Sequence, residues 1–218
     1  MPQAENFSIV VLGGMNPRVH SPFFYRAINA ITEDELQASH LRDSTMVLPQ
    51  LAQLDLADDV RVMCLPDRWQ ITSPTEARTA RLLEVATMVH RALDHTPVGA
   101  FGFNYDFVRA VPGDTEARFA ELARTLPVGF AGDGAASANF SYSTRADEGE
   151  TRRRTTVVVA PLTDPAEHVL VKNNYNHEIL PAAGPHYDLG AFMQARFARD
   201  LESARAQVAR TVQRLGAH

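Results

Sequence analysis

The sequence predicts an α+β fold in which a mainly antiparallel sheet of about 6–7 strands carries two long helices on one face. Apolar residues alternate with period two in several short runs, as in half-buried strands. Short turns join these runs, and short turns connect antiparallel neighbours, because parallel strands need long crossovers. Two segments, 74–95 and 189–215, carry the one-sided apolar stripe of helices that cover a sheet.

The first half is expected to place three strands before the first long helix. Ser21 and Thr32 are N-cap residues, which predicts two short helices or one kinked helix over 22–39. Pro66 is expected to break or bulge the third strand, and Ser73 to cap the long helix. The predicted ranges are strands 7–12, 45–56 and 59–72, then helix 74–95.

The second half repeats this order with four strands and the second long helix. A shorter helix is expected after Asp114, followed by a glycine-rich loop at 129–137. The last helix has a spacing that would suit a coiled-coil seam, but Ala204 and Thr211 at seam positions favour packing on the sheet. The predicted ranges are strands 98–111, 138–145, 153–161 and 167–176, then helix 189–215.

One domain over 1–218 is predicted, because a chain of this length can bury a sufficient core. The two halves, 1–97 and 98–218, could be a pseudo-repeat. Asn104-Tyr105-Asp106 and Asn174-Tyr175-Asn176 sit late in comparable strands, which is the sequence signal for such a duplication.

Composition and charge exclude several classes of function. The net charge of -5 and a pI near 5.9 are the reverse of a nucleic-acid-binding footprint. The sequence has no apolar run of about 20 residues, so no membrane association is expected. Glu5 and the short apolar run 7–12 do not form a signal peptide, and the single Cys64 excludes an internal disulfide. We expect a soluble, cytoplasmic protein.

Catalytic and cofactor motifs are missing from the sequence. Gly13-Gly14 follows a strand, but GGMNPRVH has neither a dinucleotide nor a phosphate-loop fingerprint. The chain has no GxSxG elbow, and Cys64 falls on the buried side of an alternating run. We therefore predict no catalytic residue and no cofactor.

A dense polar segment, 173–188, is the main candidate site. His177, Glu178 and His186 could ligate a divalent ion, but they lack a metal-site spacing, so no metal is predicted. The alternative is a structural strand end in which Asp188 caps the last helix. Candidate ligand- or partner-binding residues are Trp69, Tyr105, Asn174, Tyr175, His177, Glu178 and His186.

Two other features have both a binding and a structural interpretation. Trp69 could anchor a ligand or partner, or pack the sheet against helix 74–95. The basic run 152–154 lies across a predicted turn from Asp147, Glu148 and Glu150, which favours local neutralisation over phosphate binding.

Three stretches, VVLGGMNPRVHSPFFY, PDRW and DHTPVGAFGFNYDF, resemble a family of bacterial proteins of about this length and of unknown function. The resemblance implies a bacterial, stand-alone soluble domain and assigns no catalytic residues.

These observations lead to two functional hypotheses. The first is a non-enzymatic interaction or assembly protein that self-associates as a homo-oligomer or binds another protein. It follows from the missing catalytic motifs, a sheet edge open to pairing, and amphipathic helices. The alternative is a small-molecule-binding protein or metal-assisted enzyme that uses the 173–188 segment.

Overall fold

The structure, a computed structural model, describes residues 5–56, 59–124, 139–164, 167–184 and 187–216. Nine strands are found in these residues. They are β1 (Asn6–Gly13), β2 (Met46–Val47), β3 (Ala52–Asp55), β4 (Arg61–Leu65), β5 (Arg68–Ser73), β6 (Val98–Ala110), β7 (Phe140–Glu148), β8 (Thr151–Leu162) and β9 (His168–Ile179).

The strands form one antiparallel sheet in the order β2-β3-β4-β5-β1-β6-β9-β8-β7. The α+β class and the antiparallel sheet are confirmed, but the prediction of 6–7 strands is wrong. The segment 45–56 turns back between Leu48 and Leu51, where a backbone hydrogen bond of 2.8 Å closes the turn. Of the two outcomes predicted for Pro66, the structure shows the break: Pro66 stands in a second tight turn and separates β4 from β5.

Five α-helices are described: the two long ones of the predicted fold class and three short ones, at the two places where short helices were predicted. They are α1 (Pro22–Ala27), α2 (Glu33–His40), α3 (Thr79–Ala92), α4 (Thr115–Arg124) and α5 (Leu189–Gly216). Thr32 caps α2 in a complete capping box with Glu35. The first long helix starts later than expected, because residues 76–78 form a 3-10 turn. The predicted loop at 129–137 lies outside the described residues.

All the described helices lie on one face of the sheet, which we call the covered face. The long helices pack on the central strands: α3 on β1 and β5, and α5 on β6 and β9. The apolar stripe of α5, including Phe197 and Leu201, is buried against the sheet, as the poor seam residues indicated. No helix of the described part lies on the opposite face, which we call the open face.

The two halves of the chain share one topology. Each half has a strand, one or two short helices, an antiparallel meander and a long helix, in that order. In each half the first strand pairs with the last strand of the meander, and the two first strands, β1 and β6, join the halves at the sheet centre. Duplication itself stays a prediction.

The helices of the described part fall short of what a membrane span needs, because none combines sufficient length with sufficient apolar character.

Candidate functional site

The polar segment 173–178 lies inside β9, so its side chains alternate between the two faces of the sheet. Tyr175 and His177 face the covered side, whereas Asn174 and Glu178 face the open side. The structure therefore does not bring the predicted residues of this segment together in one site. The remaining candidate, His186, lies outside the described residues.

Three of the predicted site residues lie on the covered face, in the core beneath α5, where the Tyr105 and Tyr175 rings are in contact. Tyr105, Tyr175 and His177 are each exposed by 2% or less. The Tyr105 hydroxyl donates to the Phe197 carbonyl at 3.4 Å. Burial raises the pKa of both tyrosines, with a smaller contribution from the charge of Asp200. These rings are packed as core side chains and do not face solvent.

A buried ion-pair network surrounds His177 and Asp200, which both have no exposed side-chain surface. His177 Nε2 lies 2.7 Å from Asp200 Oδ2. Arg153 Nη1 and Arg199 Nε approach the other oxygen, Oδ1, at 3.3 and 3.1 Å. A buried carboxylate without partners would be very costly, so these three partners keep Asp200 compatible with burial.

Glu148 is the second carboxylate of this network. Arg153 and Arg199 reach its Oε1 at 3.2 and 3.1 Å, and Arg196 Nε lies 3.7 Å from Oε2. Through these contacts α5, which carries two of the arginines, is bound to β7 and β8 at the far end of the sheet. The His177 ring stacks on Phe101 with 4.9 Å between ring centroids. The network holds these elements together.

Trp69 belongs to a second buried group, between α1 and α3. Its side chain is fully buried, and its Nε1 donates to the Tyr25 hydroxyl at 3.0 Å. The same hydroxyl lies 3.0 Å from His20 Nδ1. His90 on α3 meets the Trp69 ring edge-to-face at 5.1 Å. The structure thus places Trp69 as a packing residue between sheet and helices.

Burial keeps this second group uncharged. Desolvation lowers the pKa of His20 to about 4 and the pKa of His90 to about 3, with a smaller effect of His20 on His90. Burial likewise raises the pKa of Cys64 to about 12. Neither ring nitrogen of His90 has a hydrogen-bond partner among the described residues. Cys64 therefore stays a thiol at neutral pH, and both histidines stay neutral.

A cavity of about 440 Å³ lies between the end of α3 and the start of α5. His90, Arg91, His95, Tyr187 and Asp188 are among the lining residues. The lining carries both signs of charge, so it does not define one class of ligand. Within the described ranges no three His, Cys, Asp or Glu side chains are grouped closely enough to hold a metal ion.

The segment that leads to the end strand β2 carries several exposed apolar side chains. Five of the large apolar side chains in this segment, which contains α1, α2 and β2, are exposed by 38–79%. We call this set of residues the apolar edge; it consists of Phe23, Leu41, Met46, Val47 and Leu48.

The chain matches no protein-family model and no curated protein.

Sequence reasoning missed the apolar edge and the place of Asp200 in the buried network, whereas Glu148 was predicted as a partner of the basic run 152–154 and does pair with Arg153. Met46, Val47 and Leu48 form a continuous apolar run, which breaks the period-two pattern and could have marked the edge. Asp200 interrupts the apolar side of α5, but its partner His177 is 23 residues away, and no local spacing links the two.

Replacing Asp200 should show whether the buried network is structural. Asp200→Ala leaves His177 and two arginines without their shared acceptor, so we expect a loss of about 3–5 kcal/mol in the free energy of unfolding. Urea denaturation measures this loss. Glu202→Ala, an exposed acid on the same helix, is the matched control and should change stability by less than about 0.5 kcal/mol. Equal effects of the two substitutions would contradict this assignment.

The free energy of unfolding should decrease as the pH is lowered, because of the two buried histidines. The folded-state pKa values lie below the ordinary 6.5, so the stability present above pH 6.5 is lost as the pH falls towards 4. At pH 5 each histidine should cost about 2 kcal/mol, because the unfolded chain is protonated and the folded chain is not. Urea unfolding at pH 7 and pH 5 should show His90→Leu losing about 2 kcal/mol less than wild type. If His90→Leu loses as much stability as wild type between pH 7 and pH 5, the prediction is wrong.

Proposed function

We propose that this chain is a non-enzymatic assembly protein that binds a second copy of itself through the apolar edge. The observation that carries the proposal is the run of three exposed apolar side chains, Met46, Val47 and Leu48, at the end strand β2, with Phe23 and Leu41 also exposed in the segment that leads to it. In the described part, the other large apolar residues with comparable exposure, Leu12 and Tyr142, lie on separate strands. Exposed apolar surface of this kind is typical of protein–protein contacts.

The free backbone of β2 supports pairing with another strand. Among the described strands β2 is the last on its side of the sheet, and of these only β3 pairs with it. Its outer backbone groups can accept a strand from a partner, as in β-augmentation. The side chains of Met46 and Val47 point to opposite faces, so a paired strand would meet apolar surface on both sides.

The opposite edge of the sheet is protected against such pairing. β7 is nine residues long, and its exposed side chains are mostly polar or charged, including Arg145 and Asp147. Charged side chains on an edge strand are a common means of preventing edge-to-edge association. The contrast between the two edges favours β2 as the interface.

A second copy is the occupant that best suits this edge. Two identical β2 strands can pair antiparallel about a two-fold axis, so that the same apolar residues meet from both sides. A stable dimer needs about 800 Å² from each partner, or roughly 20–30 residues. The segment from α1 to β3 is long enough to supply that number. The apolar side chains would form the centre of such an interface, and the charged residues of α2 its rim.

The alternative of a ligand site in the 173–188 segment has less support. Its residues are divided between core and open face by the alternation of β9. Helix α5 is also unavailable as a subunit seam, since its apolar stripe is used within the chain.

The molar mass in solution tests the proposal. Size-exclusion chromatography with light scattering should give about 48 kDa for wild type, twice the 24.0 kDa of one chain. The double variant Leu41→Glu/Met46→Glu should elute as a monomer, because it places two carboxylates on each side of the interface. Both side chains are exposed, so the fold should be kept, and circular dichroism checks this.

Tyr142→Glu is the matched control, since it removes an exposed apolar side chain from the opposite edge strand. It should leave the dimer intact. A monomeric wild type up to 100 µM, or a double variant that stays dimeric, would reject the proposal.

A further inference from the structure

The open face carries a straight row of polar side chains that crosses the sheet. Neighbours in this row are register partners on adjacent strands, so the row runs perpendicular to the strands. Hydrogen bonds link several of them: Ser143 Oγ is 2.9 Å from Thr156 Oγ1, and the Asn104 amide donates to Ser8 Oγ at 2.9 Å. The row consists of Ser143, Thr156, Asn174, Asn104, Ser8 and Thr72.

Next to this row, two arginines stand directly opposite each other. Arg145 on β7 is the register partner of Arg154 on β8, and both are exposed. Like charges in this position destabilise a sheet. The neighbouring Arg152 is neutralised by Asp147 at 2.8 Å, as the sequence predicted, but no carboxylate of the described residues pairs with Arg145 or Arg154.

A third arginine lies at the other side of a shallow depression in the open face. The depression has a volume of about 230 Å³ and lies over Gly102, where an added Cβ would come within 2.9 Å of the Tyr175 carbonyl oxygen. Arg68 lines it together with three asparagines, and it too has no ion-pair partner among the described residues. The asparagines are Asn104, Asn174 and Asn176.

We propose that the open face binds an extended acidic peptide of a partner protein, across β7, β8, β9, β6, β1 and β5. Arg145 and Arg154 would hold carboxylates at one end and Arg68 at the other, since guanidinium groups bind carboxylates in a bidentate manner. Asparagine amides offer both a donor and an acceptor, which matches the two polar groups of a peptide unit.

The spacing of the arginines favours an extended chain over a small molecule. Arg154 and Arg68 are separated by four strand spacings, about 19 Å. A peptide of about six extended residues spans that distance, whereas a small dicarboxylate does not. In the described residues the open face carries no Phe, Tyr or Trp, so it lacks the stacking surfaces that single-stranded nucleic acids use.

This inference uses a different surface from the proposed self-association. The arginines and asparagines lie on β5 to β9, whereas the apolar edge lies at β2. Peptide binding should therefore persist in the monomeric Leu41→Glu/Met46→Glu variant, and failure of either proposal leaves the other intact.

Fluorescence anisotropy of a labelled ten-residue Glu-Ser repeat, with the full chain at low ionic strength, tests the inference. The repeat should bind, and the matched Gln-Ser repeat should not. Arg145→Gln/Arg154→Gln should weaken the Kd at least fivefold, and Arg68→Gln at least twofold. Arg210→Gln, an exposed arginine on α5, is the control and should change the Kd by less than twofold.

Each opposite result would overturn the inference. The Glu-Ser repeat could fail to bind at millimolar concentration, or Arg210→Gln could weaken the Kd as much as the other arginine variants do. Succinate could also displace the labelled repeat at the same carboxylate concentration. A ten-nucleotide oligo-dT that binds more tightly through the same arginines would also overturn it, because the partner would then be a nucleic acid. Thermal melting confirms that every variant is folded.

Discussion

The alternation of side chains along each strand, combined with helices on only one face, is the constraint from which the rest of this structure follows. Every second residue of the central strands must enter the core beneath α3 and α5, whatever its polarity. Apolar residues satisfy this on β1 and β6, but β9 brings Asn173, Tyr175 and His177 to the same side. The remaining half of β9 lies on a face that the described helices leave open.

The buried polar residues are accommodated by charge compensation on one side of the molecule and by neutrality on the other. Under α5, Asp200 is surrounded by His177 and arginines, which makes a charged core position tolerable. Under α3, His20 and His90 are kept neutral by desolvation. Both of our proposals therefore rest on surface features, the apolar edge at β2 and the amide-rich open face with its arginines.

The sequence was a good guide to elements that depend on local residues. Period-two runs located most strands, and the N-cap at Thr32 and the stripe of α5 predicted helices that the structure contains. It was a poor guide to strand ends, because Pro66 suits a bulge and a turn equally well. The arrangement of the candidate site residues was hard to predict for a different reason. His177 and Glu178 are adjacent in sequence, but β9 extends to Ile179, past the predicted strand end at 176, so the two side chains are on opposite faces of the sheet.

Disulfide trapping tests the central claim of self-association through β2 most directly. Cys64 is the only cysteine and is fully buried, so one introduced cysteine reports on its own position. Under mild oxidation Met46→Cys should give a covalent dimer, because in the proposed dimer two β2 strands face each other across the two-fold axis. Tyr142→Cys, on the opposite edge, should remain monomeric on a non-reducing gel. Equal cross-linking of both variants, or none for Met46→Cys, would contradict the account.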